Sequence, residues 1–170
     1  MIRLDDLILG ETNRDINVED SSDNHSAALA LTRQATRRLI IFSRELDPRV
    51  FDHPDFITAV KDLATRSRFS RIEILVQNSE RIVKHGHRLV ELSRRLNTFI
   101  EVRKPHTNYK DYNSAFVVAD EVGVLRNPIA DRYQGTVNFN TPLLGRELEQ
   151  FFKEVWERSE ADIELRSLNI

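Results

Sequence analysis

The sequence predicts an α/β domain built on a mixed, partly parallel sheet with helices on both faces. Dense apolar runs of strand length occur at LIIFS, RIEILV and FIEVR, residues 39–43, 71–76 and 99–103. Segments with helical spacing of apolar residues separate these runs, and that alternation favours parallel strands with crossover helices. Two further runs, SAFVVAD and VGVLRN, are joined by a tight turn at Asp120-Glu121, which predicts an antiparallel hairpin.

The predicted helices have recognisable starts. Asn24 or Ser26 is placed to cap a helix over AALALTRQATRRL, because short polar side chains accept hydrogen bonds from the free N–H groups of a first turn. Apolar spacing predicts a second helix over residues 55–67 and one long helix from Ser79 to Leu96. Threonine as N-cap and proline in the first turn open the last helix at residues 141–142.

We expect one domain over residues 25–170, preceded by a flexible N-terminal segment, residues 1–24, which ends in the polar and acidic stretch NVEDSSDN. A chain of 170 residues suits one domain with a sizeable core. No window approaches the roughly 20 apolar residues that a membrane span needs, and the N-terminus lacks the apolar core of a secretory signal. The sequence therefore predicts a cytoplasmic protein without a membrane span.

Composition excludes several classes of chemistry. The 25 basic and 27 acidic residues give a net charge of −2, so any binding to nucleic acid has to come from a local patch. The chain has no cysteine, which excludes disulfides, thiolate metal sites and a cysteine nucleophile. It also lacks GxGxxG, P-loop, HExxH and nucleophile-elbow motifs, so we expect no cofactor and no metal.

One constellation of residues carries more information. Asn113-x-Ala115 is followed after four residues by Asp120, and later by Gly135-Thr136-x-Asn138 and the helix GRELEQFFKEVWE. This order resembles the phospholipase D superfamily, in which one strand carries H-x-K, then four residues and D, and a later strand carries G-S-x-N. The resemblance covers roughly residues 30–158 and extends to small bacterial proteins of that superfamily. It implies a phospholipase D-like half.

The resemblance implies a histidine nucleophile that attacks phosphorus, with lysine and asparagine holding the phosphate oxygens. Asn113 stands at the position of that histidine, and its amide is not nucleophilic because the nitrogen lone pair is delocalised into the carbonyl. Ala115 stands at the lysine position and supplies no charge to a phosphoryl group. We therefore expect no catalytic residue here and a non-catalytic domain that binds an anionic small ligand or a partner.

The degenerate motif predicts a pocket formed by Asn113, Ala115, Asp120, Thr136 and Asn138. Thr136 and Asn138 share a strand face and should point toward the same pocket as Asn113 and Ala115. Their alternative role is a hydrogen-bond network that ties two strands together. Asp120 either orients a bound ligand's partner or holds the hairpin turn, since aspartate favours turns.

Two other functions remain open. His106, in a polar loop near the motif, is the possible substitute base of a phosphoryl- or acyl-transfer enzyme. A nucleic-acid-binding module is the other alternative, with Phe69 among arginines as its local candidate. His85 and His87 lie two residues apart, about 200° around a helix, and cannot easily chelate one metal ion.

Complete members of the superfamily place two halves around one pocket. A single half is therefore expected to pair with a second copy of itself, and we predict a homodimer.

Overall fold

Eight strands form one sheet in the computed structural model, which describes residues 3–162 and Leu165. In chain order the strands are β1 (Ile16–Val18), β2 (Arg38–Ser43), β3 (Arg71–Val76), β4 (Ile100–Lys104), β5 (Ala115–Ala119), β6 (Gly123–Asn127), β7 (Gly135–Asn138) and β8 (Glu160–Ala161). Their order across the sheet is β1-β7-β6-β5-β2-β3-β4-β8. The central strand β2 thus has β5 on one side and β3 on the other.

Within residues 3–162, six α-helices and two short 3₁₀ segments accompany the strands. The helices are α1 (Ser21–Gln34), α2 (Pro48–Phe51), α3 (Pro54–Arg66), α4 (Glu80–His85), α5 (Arg88–Arg95) and α6 (Pro142–Glu157). The 3₁₀ segments are Leu4–Asp6 and Thr107–Tyr109. Within the described residues, no helix combines the length and the apolar character needed to cross a membrane.

The sheet is mixed, as the sequence predicts. β2 pairs in parallel with β3, and β3 with β4, while the remaining neighbours pair antiparallel. The β5–β6 hairpin is confirmed, and its turn places Asp120 and Glu121 at φ values of 49° and 64°. Left-handed backbone of this kind matches the twist of a tight hairpin.

Each face of the sheet has its own core, which confirms helices on both faces. Side chains alternate along β2, so Leu39 and Ile41 join a large cluster that includes residues of α1, α3 and α5. Ile40 and Phe42 point the other way and pack with Leu148, Phe152 and Trp156 of α6. We call these the α1 face and the α6 face.

Two helix predictions are corrected by the structure. α1 begins at Ser21 because Asp20 is its N-cap and accepts from the Asp23 N–H, so neither Asn24 nor Ser26 caps it. The predicted long helix is two helices, α4 and α5. The break lies at Gly86, whose φ of 74° an α-helix cannot contain, and the His87 side chain then caps α5.

The N-terminal residues that the structure describes contact the sheet. β1 pairs antiparallel with β7, with Asn17 opposite Thr136, and α1 starts before the predicted boundary at residue 24. The division into a flexible segment and one domain stays a prediction. Residues 1–2 of that segment, and residues 163–164 and 166–170 of the domain, lie outside the described residues.

Candidate functional site

The strand that carries the degenerate motif starts where β2 ends. β5 runs antiparallel to β2, with Phe116 opposite Phe42, so the residues before β5 lie beside those after β2. β3 ends at the same level, and β6 returns to it through the hairpin. We call this end of the sheet the mouth and define it by Arg44, Gln77, Asn113, Ala115, Arg126 and Asn127.

Asn113 is exposed at the mouth and is held by an arginine. Its side-chain oxygen accepts a hydrogen bond of 2.7 Å from Nη2 of Arg44, and its backbone carbonyl accepts from the Ala130 N–H at 2.7 Å. Ala115 follows at the first position of β5, opposite Asn127 of β6. The two motif positions therefore lie at the mouth, where the sequence places them.

The cavity beside Ala115 is small because polar side chains fill it. Nδ2 of Asn127 donates to Oδ1 of Asn24 at 2.9 Å, and the Tyr133 hydroxyl donates to Asp47 at 2.6 Å. The space that remains measures about 50 Å³. A water molecule needs about 10–15 Å³ by this measure, so the cavity holds a few waters and no phosphodiester.

Three buried polar atoms at the mouth have no hydrogen-bond partner within the part of the chain that the structure describes. They are Nε of Arg44, Nε of Arg126 and Oε1 of Gln77. The amide nitrogen of Gln77 is satisfied, because Nε2 donates to the carbonyls of Tyr109 and Tyr112. Unpaired buried donors on two cations favour an anion, because each unsatisfied group carries a desolvation cost.

Tyr112 shows how Arg126 affects this region. Burial raises the pKa of the Tyr112 phenol, and the positive charge of Arg126 opposes that rise. The arginine is therefore close enough to act electrostatically on the mouth from the α6 face.

Thr136 and Asn138 do not share the pocket of Asn113 and Ala115, so that expectation is wrong. Thr136 pairs with Arg126, which pairs with Phe116, and paired residues point to one face, here the α6 face. Ala115 alternates with Phe116 and points to the α1 face. Thr136 is exposed beside Arg126.

Asn138 is buried in a network with the N-terminal segment. Its Nδ2 donates to Asn13 and Asp15, both at 2.9 Å, and its Oδ1 accepts from the backbone N–H of Arg14 and of Asn140. Three of these four bonds tie β7 to residues 13–15, and the fourth is local to Asn140. Asn138 thus has the alternative role named in the sequence analysis, in a structural hydrogen-bond network, and no polar group of its side chain is left for a ligand.

Asp120 lies at the other end of β5, about 17 Å from the mouth at the rise of an antiparallel strand. Its carboxylate accepts from the backbone N–H groups of Thr36, Arg37 and Arg38 at 2.8, 3.0 and 2.9 Å. The side chain thus anchors the hairpin turn to the segment that leads into β2. Of the two roles considered for Asp120, this geometry corresponds to holding the hairpin turn.

His106 stands apart from the mouth. It follows β4, which β3 and β2 separate from β5, a spacing of about 14 Å across three strand intervals. Its Nδ1 accepts from the Asn108 N–H at 3.1 Å, and the residue lines a hollow with Lys104 and Arg158. His106 therefore cannot act at Asn113 in this arrangement.

The mouth contains residues that motif reading missed. Arg44, Gln77, Arg126 and Asn127 belong to no motif, but each directly follows or ends a predicted strand. A search for polar residues at the carboxyl ends of β2, β3 and β6 would have found them.

Comparison with known proteins identifies the family and the fold. Residues 20–168 match the family model described as a domain of unknown function, DUF7931. No curated protein matches the sequence.

Solved structures resemble the chain closely in backbone and weakly in sequence. Nuc from Salmonella typhimurium, a phospholipase D family member, has a TM-score of 0.61 at 15% identity, covering 86% of this chain and 97% of its own. NucT from Helicobacter pylori has a TM-score of 0.61 at 13% identity, and the match covers 88% of this chain and 100% of NucT. TrmBL2, an archaeal chromatin protein, has a TM-score of 0.62 at 13% identity. The match covers 88% of this chain, which spans 54% of the length of TrmBL2.

Identities this low show the fold alone. Because the matches cover 86% and 88% of this chain and nearly all of Nuc and NucT, the likeness extends over most of the fold. The chain therefore has a phospholipase D-like fold, and it belongs to the DUF7931 family.

Proposed function

We propose that the chain is a non-catalytic phospholipase D-like domain that has lost the phosphodiesterase nucleophile and binds an anionic small ligand at the mouth. The observation that carries this proposal is the contact of Asn113 with Arg44 at the start of β5. An amide held by a guanidinium occupies the place where the resemblance requires a histidine. Asn113 and Ala115 keep their place at the start of β5, and the reactive group is absent.

The chemistry of the mouth supports binding over turnover. None of its six residues offers a nucleophilic nitrogen, hydroxyl or thiol, so no covalent phosphoenzyme can form there. The two arginines supply charge without a proton to transfer, because a guanidinium stays protonated in proteins. Such a site can hold an anion but cannot cleave it.

The unpaired atoms also indicate which chemical groups the ligand carries. Nε of Arg44 and Nε of Arg126 each offer a donor, which suits phosphate or carboxylate oxygens. Oε1 of Gln77 offers an acceptor, which suits a hydroxyl group. A phosphate monoester that also carries a hydroxyl offers a partner to each of the three atoms. None of their residues lines the small cavity beside Ala115, so the ligand would bind outside that cavity.

Calorimetric titration with inorganic phosphate and with glycerol phosphate tests the proposal. We expect saturable binding that weakens at least about tenfold in Arg44→Ala and in Arg126→Ala, because charged hydrogen bonds are worth about 1.5–3 kcal/mol. Arg81→Ala, which removes an exposed cation paired with Glu45 at 3.7 Å, is the matched control and should bind like the wild type. Equal affinity in all four proteins would refute the site.

A second candidate function rests on the far end of the sheet. Phe69 is 61% exposed, with the guanidinium of Arg68 at 4.8 Å and that of Arg37 at 6.0 Å from its ring centroid. An exposed ring between cations is the arrangement on which nucleobases stack. TrmBL2 is described as showing a mode of DNA binding, which gives this candidate a relative in fold. A salt-dependent oligonucleotide shift that Phe69→Ala abolishes would support it.

Self-association is part of the proposal as well. A half-sized phospholipase D-like unit pairs to complete a pocket, and loss of the nucleophile relaxes that requirement. We expect a homodimer at micromolar concentration, measured by size-exclusion chromatography with light scattering. A mass of one chain across that range would count against it.

A further inference from the structure

Two histidines and an aspartate meet on the α1 face, away from the six mouth residues. His25 lies in the second turn of α1, His53 is the N-cap residue of α3, and Asp55 lies in the first turn of α3. One ligand atom from each lies within 4.8 Å of the other two. His25 is distant in sequence from His53 and Asp55, and the packing of α1 against α2 and α3 brings it to them.

Backbone carbonyls fix which ring nitrogens carry a proton. Nδ1 of His25 lies 2.9 Å from the carbonyl oxygen of Val50, and Nε2 of His53 lies 2.7 Å from that of Arg49. A carbonyl only accepts, so each of these nitrogens is an N–H donor. The nitrogens left to bind something else are Nε2 of His25 and Nδ1 of His53.

The remaining groups face one another as acceptors. Nε2 of His25 is 3.2 Å from each carboxylate oxygen of Asp55. A neutral His25 therefore points a lone pair at a carboxylate, and a cation between them removes that repulsion.

The two imidazole rings lie against each other. The ring centroids of His25 and His53 are 3.9 Å apart at an interplanar angle of 33°. One bound divalent ion would satisfy both imidazoles and the carboxylate together.

We propose that His25, His53 and Asp55 bind a divalent transition-metal ion of the zinc type. Two imidazoles and one carboxylate are a common zinc ligand set, whereas calcium and magnesium take oxygen ligands. Metal-binding histidines commonly donate their second N–H to a carboxylate or a backbone carbonyl, and both histidines do so here.

The geometry needs only a small adjustment to close around the ion. Zinc–nitrogen bonds of about 2.0–2.1 Å place tetrahedral ligand atoms roughly 3.3 Å apart. The His25–Asp55 spacing of 3.2 Å already has about this value, and the ligand atom of His53, within 4.8 Å of the other two, would have to move closer. Asp55 is exposed, so a fourth position is open to water or to an exogenous ligand. The ion would also link α1 to the start of α3.

Zinc titration of the full chain tests this inference. Protein without a histidine tag is freed of metal with a chelator and titrated with Zn²⁺ by calorimetry. We expect one ion per chain, with affinity falling at least about tenfold in His53→Ala and in Asp55→Asn. His85→Ala and His106→Ala each remove an exposed histidine outside the cluster and should bind like the wild type.

A spectroscopic arm separates loss of binding from loss of fold. Co²⁺ in place of Zn²⁺ should give visible absorption in the wild type and none in Asp55→Asn, which keeps the shape of an exposed side chain. Circular dichroism confirms that the variants are folded. The inference is overturned if the wild type takes up no ion, if Asp55→Asn and His53→Ala bind as tightly as the wild type, or if the two control variants lose affinity equally.

Discussion

The two ends of the central strands differ in how they treat their polar groups. At the end opposite the mouth, the buried charges of Arg38, Glu73 and Glu149 pair with one another. At the mouth, Nε of Arg44 and Nε of Arg126 are buried without a partner in the described part of the chain. Polar groups that satisfy one another stabilise the fold, whereas unsatisfied groups are available to a ligand. The contrast separates a structural end from a binding end.

Arg38 is the centre of the structural end. Its Nη1 lies 2.7 Å from Glu73, and its Nε lies 2.9 Å from Glu149, and all three side chains are largely buried. Burial alone would lower the pKa of Arg38, but the two carboxylates outweigh it and raise that pKa. The guanidinium therefore stays charged and links β2 and β3 to α6.

The largest expected effect comes from removing this link. Arg38→Ala leaves two buried carboxylates without their counter-ion, and breaking a buried pair in this way costs about 3–5 kcal/mol. Urea denaturation measures the change in the free energy of unfolding. Arg81→Ala is the control, because its ion pair is about half exposed and worth about 0–1 kcal/mol. A similar loss in both variants would contradict the contrast.

The next largest effect is expected for Asp120→Ala, which should lower the free energy of unfolding by about 2 kcal/mol. The substitution removes the acceptor of three backbone N–H groups and places alanine at a φ of 49°, which disfavours it. Asp120→Asn keeps one acceptor oxygen and tolerates that backbone, so its loss should be smaller. Thermal or urea unfolding of the two variants measures the order, and equal losses would argue against the hydrogen bonds as the cause.

A smaller, pH-dependent effect is expected for Glu149. Burial raises its pKa above the usual 4.5, and Arg38 opposes the rise without cancelling it. A raised carboxyl pKa means that the protonated form favours the folded state, so this contribution is present below pH 4.5 and is lost as pH rises through the folded pKa. Glu149→Gln cannot titrate.

The stability of the wild type relative to Glu149→Gln should therefore fall as pH rises. Urea denaturation of both proteins from about pH 4 to about pH 7 gives the difference directly. A difference that grows in favour of the wild type with rising pH would show that Arg38 dominates and that the folded pKa is lowered.

The smallest effect on stability is expected at the mouth. Asn113→Ala removes one exposed side chain and its bond to Arg44, so unfolding should change by less than about 0.5 kcal/mol. Anion binding should change in the same variant, because Arg44 is released from its partner. A large loss of stability would show that the mouth, like the opposite end of the sheet, serves to stabilise the fold.

The strands and the hairpin were predictable because their apolar runs are long and bounded by turn residues. β1 was not, since a three-residue edge strand carries no periodic pattern, and its pairing with β7 depends on distant contacts. The break at Gly86 was missed because the apolar stripe continues past it. Only the positive φ distinguishes one helix from two at that point.

The place of Asn113 and Ala115 at the start of β5 was predictable, because it follows from the motif. The faces of Thr136 and Asn138 were not, because they depend on the register set by the loop between β6 and β7. One residue of register reverses every side chain on a strand. The histidine–aspartate cluster was also beyond the sequence, since α1 and α3 meet only in the folded chain.

The measurement that tests the central claim most directly is an assay of turnover on bis-(p-nitrophenyl) phosphate, run beside phosphate binding on the same preparation. A mouth with Asn113 and Ala115 predicts saturable binding of phosphate and no release of p-nitrophenol above buffer. Turnover that His106→Ala abolishes would contradict the claim and identify the chain as an enzyme with a substitute base.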